Sequence, residues 1–164
     1  LFSLHLVYWL KVNFDMKKRK LLASFLIVII SVFMPFLEKV NANNADYYME
    51  LGNKKMRRNE NFYGAKKALL DFDKAIEIDH LHEGSYVSRC YAKYLLKEYY
   101  SAISDCNMAL KISTNIDNKI GAYVNRGISK EKLGDMSGAC SDWRQASYLG
   151  HYEAKNWVRQ ECWI

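Results

Sequence analysis

The feature that most constrains the fold is one short spacing that occurs three times. Two alanines stand seven positions apart, with an aspartate three positions after the first. The first copy is Ala68, Asp71 and Ala75, the second is Ala102, Asp105 and Ala109, and the third is Ala139, Asp142 and Ala146. The first two copies are 34 residues apart, and the second and third are 37 residues apart. A period in this range indicates stacked supersecondary units that bury their apolar faces against one another. Such arrays favour a binding scaffold over an enzyme.

A second set of residues precedes each of these segments. It consists of a tyrosine four positions before a small residue, and the three copies are Tyr48 with Gly52, Tyr86 with Cys90, and Tyr123 with Gly127. A small residue lets a neighbouring backbone approach closely, and a tyrosine fills the space between helices. Apolar residues recur at three- and four-residue steps. We therefore predict helices near 45–58, 64–79, 83–96, 99–113, 118–133, 136–149 and 152–163.

These residues together resemble the tetratricopeptide repeat, over roughly residues 45–150, and the segment 134–143 is similar to repeats of bacterial members. The resemblance implies an all-α fold, a right-handed superhelical stack of three helix pairs at about 45–79, 83–114 and 120–150. Residues 151–164 would form a C-terminal capping helix, with Trp157 and Trp163 covering the last apolar face. Arginine replaces the usual leucine in two copies, and we expect Arg89 to face Asp105 and Arg126 to face Asp142.

The N-terminal part has the composition of a targeting segment. Met16 opens a cationic cluster, residues 21–37 are largely apolar, and Val40 and Ala42 are small. This order predicts a secretory signal peptide at 16–42, cleaved after Ala42, with 1–15 an upstream extension and 43–164 the exported domain. The alternative is an uncleaved membrane anchor. Residues 1–42 carry a net charge of +4 and the remainder only +2, with no basic stripe. Nucleic-acid binding is therefore not supported.

All four cysteines follow the targeting segment. Cys140 and Cys162 lie ten residues before and twelve after the turn at Gly150, so they come level on antiparallel helices and are predicted to form a disulfide. Cys90 and Cys106 stand at small-residue packing positions, which favours buried free thiols. A thiol-redox protein is a further alternative, against which the absence of a Cys-x-x-Cys motif argues.

Other chemistry finds little support in the sequence. His80 and His82 lie in an inter-repeat turn and are interpreted as solvated, so no metal site is expected. No nucleophile elbow or phosphate loop is present, and the carboxylates follow solvated helix faces. We therefore expect neither catalysis nor a cofactor.

The resemblance implies that the first helix of each pair lines a concave groove for a protein or peptide partner. The groove residues would be Met49, Asn53, Met56, Val87, Tyr91, Tyr94, Val124, Ile128 and Glu131. Family members that hold chaperone C-terminal carboxylates use Lys, Asn and Arg there. The corresponding residues are Met49, Asn53, Ser88, Gly121 and Asn125, of which only Asn53 matches. We predict an adaptor or assembly factor that is exported, or membrane-anchored in the alternative, and that binds an extended or helical apolar peptide.

Overall fold

The computed structural model describes residues 16–58 and 62–162, which form seven helices and no strand. The helices are α1 (Met16–Arg58), α2 (Phe62–Ile78), α3 (Glu83–Leu95), α4 (Tyr99–Ile112), α5 (Ile116–Lys132), α6 (Met136–Tyr148) and α7 (Tyr152–Glu161). The chain divides into two compact units, residues 1–40 and 41–164. The predicted extension at 1–15 and Trp163 lie outside the described residues.

Within the first unit, the described residues are the N-terminal part of α1. Its apolar side chains face solvent, and Phe25, Ile27 and Val32 are each more than half exposed, at 69%, 66% and 63%. No helix among the described residues is both long enough and apolar enough to cross a membrane. Helix α1 begins at Met16 rather than at the predicted residue 45, and it continues through both Pro35 and Gly52. The signal peptide and its cleavage after Ala42 stay predictions.

The second unit contains the predicted helix pairs. The last part of α1 pairs with α2, α3 with α4 and α5 with α6, and α7 follows as the capping helix. The bounds of α2 to α7 agree with the predicted ones to within two residues. We call these pairs the first, second and third repeats.

The three helix pairs build three apolar clusters, one in each repeat. We number these clusters by their repeats. Each cluster also receives a fully buried alanine from the helix that follows the pair, and these are Ala92, Ala122 and Ala154. Every repeat therefore completes its core with its neighbour, and α7 does so for the third repeat.

Ten of the twelve residues predicted to pack the repeats are buried. They are Gly52, Ala68, Ala75, Tyr86, Cys90, Ala102, Ala109, Gly127, Ala139 and Ala146. Tyr48 and Tyr123 are partly buried, and Tyr123 packs against the third cluster. Each of them lies on the first helix of its pair and keeps one side in contact with solvent, as is usual for a side chain with a polar tip.

The second alanine of each repeated segment packs its helix and also accepts a hydrogen bond from the residues that follow the helix. Ala75, Ala109 and Ala146 are each 0% exposed, and their carbonyl oxygens accept the backbone N–H groups of Asp79, Ser113 and His151 at 2.8–2.9 Å. Ala109 and Ala146 belong to the second and third clusters, whereas Ala75 lies outside the first cluster. All three alanines are therefore buried as predicted, and in the first repeat Ala75 packs outside the main apolar cluster.

At the centre of each repeat, one residue of the first helix meets one of the second. The pairs are Gly52 with Phe72, Cys90 with Cys106 and Gly127 with Trp143. A Cβ atom added to Gly52 or Gly127 would lie 2.5 Å from the facing aromatic ring, so only glycine fits there. We refer to these three pairs as the crossing positions.

The structure contains two disulfides and no free cysteine among the residues it describes. Cys140 and Cys162 are joined as predicted, with their Cα atoms 5.6 Å apart. The expectation of free thiols at Cys90 and Cys106 is wrong, because these residues also form a disulfide, with a Cα–Cα distance of 5.5 Å. They occupy a crossing position, where the two backbones approach to the separation that a disulfide requires.

The aspartate of each repeated segment accepts from basic groups of the preceding helix. Arg89 donates from Nε and Nη2 to the two oxygens of Asp105 at 2.8 and 2.7 Å, and Arg126 holds Asp142 in the same way. A lysine adds a second contact to each carboxylate, from Lys93 and Lys130. In the first repeat, Lys55 pairs with Asp71. The two predicted arginine pairs are present, and they are largely buried rather than solvated.

The arginines also connect neighbouring repeats. Arg89 donates from Nη1 to Asp73 in α2 at 2.7 Å, and Arg126 donates from Nη1 to Asn107 in α4 at 2.6 Å. Each guanidinium therefore binds the second helix of its own repeat and that of the repeat before it. This arrangement fixes the angle between repeats, and with it the curvature of the groove face.

Histidines begin two of the helices, in positions where Ser, Thr, Asn and Asp are the usual caps. His82 Nδ1 accepts from the backbone N–H of Ser85 at 3.3 Å, and His151 Nδ1 accepts from that of Ala154 at 3.1 Å. His82 Nε2 also lies 2.9 Å from Asp46 Oδ1 in α1. The expectation that His82 is a solvated turn residue is therefore wrong, since its side chain is only 13% exposed and joins the first repeat to the second.

Candidate functional site

A cavity of about 360 Å³ opens on the face formed by the first helix of each pair. Its lining residues are Asn53, Met56, Arg57, Val87, Ser88, Tyr91 and Asn125. They come from α1, α3 and α5, because successive helix pairs rotate slightly and leave the first helices on the concave side. We call this cavity the groove pocket.

Four of the nine predicted groove residues line the groove pocket, namely Asn53, Met56, Val87 and Tyr91. Tyr94 stacks against Tyr91 with ring centroids 6.2 Å apart and packs on the second cluster. It therefore supports the wall of the pocket from behind without lining it.

The remaining four predicted residues lie elsewhere. Met49 lines a neighbouring cavity and packs closely on Gly84, since a Cβ atom added to Gly84 would lie 2.7 Å from the Met49 sulfur. Val124 and Ile128 turn toward α6 and pack on the third cluster. Glu131 lies near the C-terminal end of α5 and pairs with Lys132 at 3.3 Å. The structure therefore concentrates the candidate site at the first and second repeats, with α5 contributing one residue.

Three uncharged polar side chains line the groove pocket beside an apolar floor. Met56, Val87 and Tyr91 supply the apolar surface, while Asn53, Ser88 and Asn125 supply amide and hydroxyl groups. Asn125 is only 9% exposed, and its carboxamide makes no hydrogen bond within the described part of the chain. Its side chain lines the open pocket, so the carboxamide is available to a ligand there. Asn125 is therefore preorganised to bind a ligand that both donates and accepts hydrogen bonds.

The cation that lines the groove pocket is already paired. Arg57 lies at the rim and donates to Glu50, seven residues earlier on α1. The five positions that the resemblance assigns to carboxylate binding hold Met49, Asn53, Ser88, Gly121 and Asn125, and none is basic. Gly121 leaves no side chain to reach the pocket, and an added Cβ would lie 3.0 Å from Val87. Among the residues that the structure describes, the site therefore has no free positive charge to bind a carboxylate.

The sequence-based list of groove residues omits Ser88, Arg57 and Asn125. Ser88 and Asn125 are 37 residues apart and occupy the same place in two repeats, immediately before Arg89 and Arg126. The repeat spacing makes them equivalent, but judged by the resemblance alone each is only a position that lacks a carboxylate-binding residue. Arg57 follows Asn53 by one helical turn, so helical periodicity alone points to it.

A second cavity, next to the first, is more polar and lies at the inter-repeat turns. It is lined by Asp46, Met49, Asp79, Leu81, His82, Glu83, Gly84, Asn115 and Asn118. Within the described residues no group of three or more His, Cys, Asp or Glu is arranged to hold a metal ion. The carboxylate of Glu83 instead orders the turn between the second and third repeats.

Glu83 accepts five hydrogen bonds from that turn. Its donors are the hydroxyl of Ser113 at 2.7 Å, the backbone N–H and hydroxyl of Thr114 at 2.8 and 3.2 Å, the N–H of Asn115 at 3.4 Å and the amide of Asn118 at 3.1 Å. Burial alone would raise the pKa of Glu83, but these hydrogen bonds outweigh it and lower the pKa to about 2. The carboxylate therefore remains charged throughout the neutral range.

Comparison with known proteins identifies a relative among curated proteins and several similar solved structures. No protein-family model matches the chain. RNA polymerase II-associated protein 3 of Xenopus tropicalis is 36% identical over 75 residues, which is 44% of this chain and 11% of that protein. The chain therefore spans only about a ninth of the length of this relative.

Solved structures match over more of the chain. The TPR domain of Arabidopsis OM64 is 26% identical with a TM-score of 0.65, covering 74% of this chain and 97% of that domain. The first TPR of Spaghetti (RPAP3), bound to the HSP90 peptide SRMEEVD, is 24% identical with a TM-score of 0.64, covering 74% of this chain and 92% of that one. The second TPR domain of human RPAP3, in complex with the HSP70 peptide SGPTIEEVD, has a TM-score of 0.61 at 19% identity, covering 77% of this chain and 98% of that domain. These similarities support the expected all-α repeat fold.

Proposed function

We propose that this chain, which carries a tetratricopeptide-repeat domain, is a scaffold that binds an extended peptide segment of a partner protein in the groove pocket. The observation that carries the proposal is Asn125, a 9% exposed carboxamide without an intramolecular hydrogen bond among the described residues, which lines the pocket together with Asn53. A peptide backbone offers N–H and C=O groups at each residue, which matches both faces of a carboxamide.

The apolar floor defines the ligand further. Met56, Val87 and Tyr91 form a surface for one aliphatic or aromatic side chain of the bound segment. Since an extended peptide alternates its side chains, the residues on either side of the buried one would point out of the groove. The ligand is therefore an apolar residue within an extended stretch, recognised through its backbone and one side chain.

The chaperone peptides of the structural neighbours give a direct test of this ligand class. SRMEEVD is a peptide of HSP90 that was solved with one of them. Because the described lining of the groove pocket has no free cation, we expect any binding of this peptide to be the same with a free and with an amidated C-terminus. A loss of binding on amidation would show recognition of the carboxylate and contradict the proposal.

The decisive experiment selects ligands from a random peptide library with the full chain and then measures affinities by calorimetry. We expect Val87→Glu to abolish binding and Asn125→Ala to weaken it about tenfold, since an unmade hydrogen bond to a buried amide costs roughly 1–2 kcal/mol. Tyr100→Ala, which removes a 79% exposed ring in α4, serves as the control and should bind normally. Selected peptides that bind Val87→Glu and wild type equally would place the site elsewhere.

We further propose that the domain acts outside the cytoplasm, as an adaptor without catalytic activity. Two disulfides support this location, because disulfides form and persist in oxidising compartments. The test is the N-terminal sequence of the protein recovered from cells. A start at Asn43 fits a cleaved leader, retention of Met16 in the membrane fraction fits the anchored alternative, and an uncleaved chain in the reducing cytoplasm would contradict both.

A further inference from the structure

The two disulfides differ in how far solvent reaches them. Cys90 and Cys106 are both 0% exposed and lie inside the second cluster. Cys140 is 5% exposed and Cys162 is partly exposed, and both line a small cavity of about 160 Å³ open to solvent. A dissolved reagent can therefore reach the second bridge in the folded protein, whereas the first becomes accessible only when the second repeat opens.

A positive charge stands at the accessible bridge. Arg144 lines the same cavity and follows Cys140 by one turn of α6, and its Nη2 donates to the carbonyl oxygen of Cys162 at 3.4 Å. A guanidinium in this position attracts an approaching thiolate and stabilises the thiolate that leaves. Arg144 is exposed and has no carboxylate partner within the described residues.

The accessible bridge holds a short helix whose other contacts are few. Helix α7 has ten residues and buries only Ala154 completely, while Trp157 and Val158 pack partly on the third cluster. Helices of this length have little stability of their own and depend on tertiary contacts. Cys162 ends α7, so the bridge to Cys140 fixes the helix at the end farthest from its N-cap, His151.

We propose that the Cys140–Cys162 disulfide is a thiol–disulfide exchange site that controls the docking of α7 on the third repeat. The thiolate of a dithiol reductant attacks Sγ of Cys162, the S–S bond breaks, and Cys140 leaves as a thiolate that takes a proton from water. The second thiol of the reductant then displaces Sγ of Cys162 from the mixed disulfide. Two electrons pass to the protein, which ends with two thiols, while the reductant ends as its own disulfide.

The consequence is a change at the C-terminal end of the stack. Trp143 is 3% exposed and lies between Gly127 and Trp157, whose ring centroid is 5.5 Å from its own. When α7 detaches, Trp143 and the alanines of α6 lose their cover. Reduction therefore exposes an apolar face that the oxidised protein keeps closed, without using any residue of the groove pocket.

The test uses the full, folded chain with graded dithiothreitol, followed by alkylation and peptide mass spectrometry. We expect Cys140 and Cys162 to be labelled at least about tenfold faster than Cys90 and Cys106, since only the latter pair requires opening of a core. Hydrogen exchange should rise in residues 152–161 on reduction and stay unchanged in residues 83–112. Equal labelling rates for the two bridges, or unchanged exchange in α7, would overturn the proposal.

Two sets of variants separate the parts of the mechanism. Cys140→Ser/Cys162→Ser should show rapid exchange in α7 with and without reductant, and slow exchange there would refute the role of the bridge in docking. Arg144→Gln should slow reduction about threefold, the effect of a single exposed charge contact. Arg159→Gln, which removes an exposed cation of α7, is the charge-matched control and should leave the rate unchanged. A rate for Arg144→Gln equal to that of wild type would refute the guidance by Arg144.

Discussion

The second and third repeats share one backbone arrangement but join their helices by different chemistry. At the crossing position of the second repeat, Cys90 and Cys106 form a covalent bond. In the third repeat, 37 residues later, Gly127 and Trp143 occupy the same two places. Two medium-sized side chains therefore fill this position in the second repeat, whereas a glycine and a large indole ring fill it in the third. The crossing position therefore specifies a combined volume and a close approach of two backbones, and it leaves the type of interaction open.

The comparison extends to the arginines beside these pairs. Arg89 and Arg126 each donate twice to the aspartate of their own repeat and once to the repeat before. The earlier repeat supplies a carboxylate, Asp73, to the first arginine and an amide, Asn107, to the second. The arginine donates in the same direction in both repeats, although its acceptor is charged in one and neutral in the other. The direction of the donor is therefore the constant feature of this contact between repeats.

The largest expected effect comes from removing the disulfide between Cys90 and Cys106. Cys90→Ala/Cys106→Ala should lower the free energy of unfolding by about 3 kcal/mol, because the two cysteines are 16 residues apart and their bridge restricts the unfolded chain. Urea denaturation of the oxidised full chain measures this change. Cys90→Gly/Cys106→Trp places the glycine and tryptophan of the third repeat at this position. It should recover part of the lost stability if the combined side-chain volume is what the crossing position requires. An unchanged denaturation midpoint in the alanine variant would show that the bridge adds no stability.

A smaller effect is expected from overfilling the third repeat. Gly127→Ala places a Cβ 2.5 Å from the indole Nε1 of Trp143, and the repacking should cost about 2 kcal/mol. Gly52→Ala presents the same conflict with Phe72 and should behave alike. A double-mutant cycle with Trp143→Leu checks the cause, since a smaller partner leaves room for the methyl group. A penalty that stays constant in the Trp143→Leu background would place its origin outside this contact.

The turns between repeats differ as well, and one of them should depend on pH. Glu83 has a pKa of about 2 in the folded chain against an ordinary value of 4.5, so the unfolded chain binds more protons between these values. Its contribution is therefore complete above about pH 4.5 and is lost as the pH falls toward 2. We expect Glu83→Gln to cost about 1 kcal/mol at pH 7, the worth of a hydrogen-bonded charge discounted for its partial exposure.

Denaturation of wild type and Glu83→Gln at several pH values measures this effect as a difference. The difference should shrink toward zero as the pH falls from about 4.5 to 2. Glu77→Gln is a suitable control, because Glu77 is exposed on α2 and pairs only with Lys74 among the described residues. A wild-type advantage over Glu83→Gln that persists undiminished at pH 2 would be incompatible with titration of Glu83.

Repetition explains why the sequence predicts the fold more completely than the candidate site. Tyr86, Cys90 and the alanines of the repeated segments have equivalents elsewhere in the chain, so each identification is supported by two others. The equivalence of the repeats is also enough to indicate the disulfide between Cys90 and Cys106, because these residues occupy the two contacting positions of a helix pair. The prediction of free thiols fails there because a small packing residue and one half of a disulfide have the same size and the same spacing.

The groove lacks that redundancy, and its residues differ between repeats. Val87 and Val124 hold equivalent positions, 37 residues apart, yet only Val87 lines the groove pocket, while Val124 packs toward the third cluster. The direction of Val124 depends on α6 and on Trp143, which fill the space behind α5. Helical periodicity assigns a face to a residue, but it does not say which neighbour that face will meet.

The smallest expected effect concerns the turn inside each of the two repeats. Lys97 in the second repeat and Gly134 in the third both have a positive φ, of 63° and 81°. They end their helices with the same hydrogen bonds, in which the N–H of Glu98 donates to Lys93 and that of Asp135 donates to Lys130, both at 2.9 Å. A lysine in this conformation has a steric cost that glycine avoids.

Lys97→Gly should therefore raise the free energy of unfolding by about 0.5 kcal/mol, since the relief of strain exceeds the added entropy of the unfolded chain. Gly134→Lys should lower it by about 1 kcal/mol, and both changes are measurable by thermal denaturation. Both positions are exposed, and an added Cβ at Gly134 would meet no atom within 4 Å, so side-chain packing does not obscure the backbone term. If Lys97→Gly proves destabilising while Gly134→Lys is neutral, the stem of Lys97 stabilises the turn by contacts that outweigh its strain, and the two turns would be equivalent in shape but not in energy.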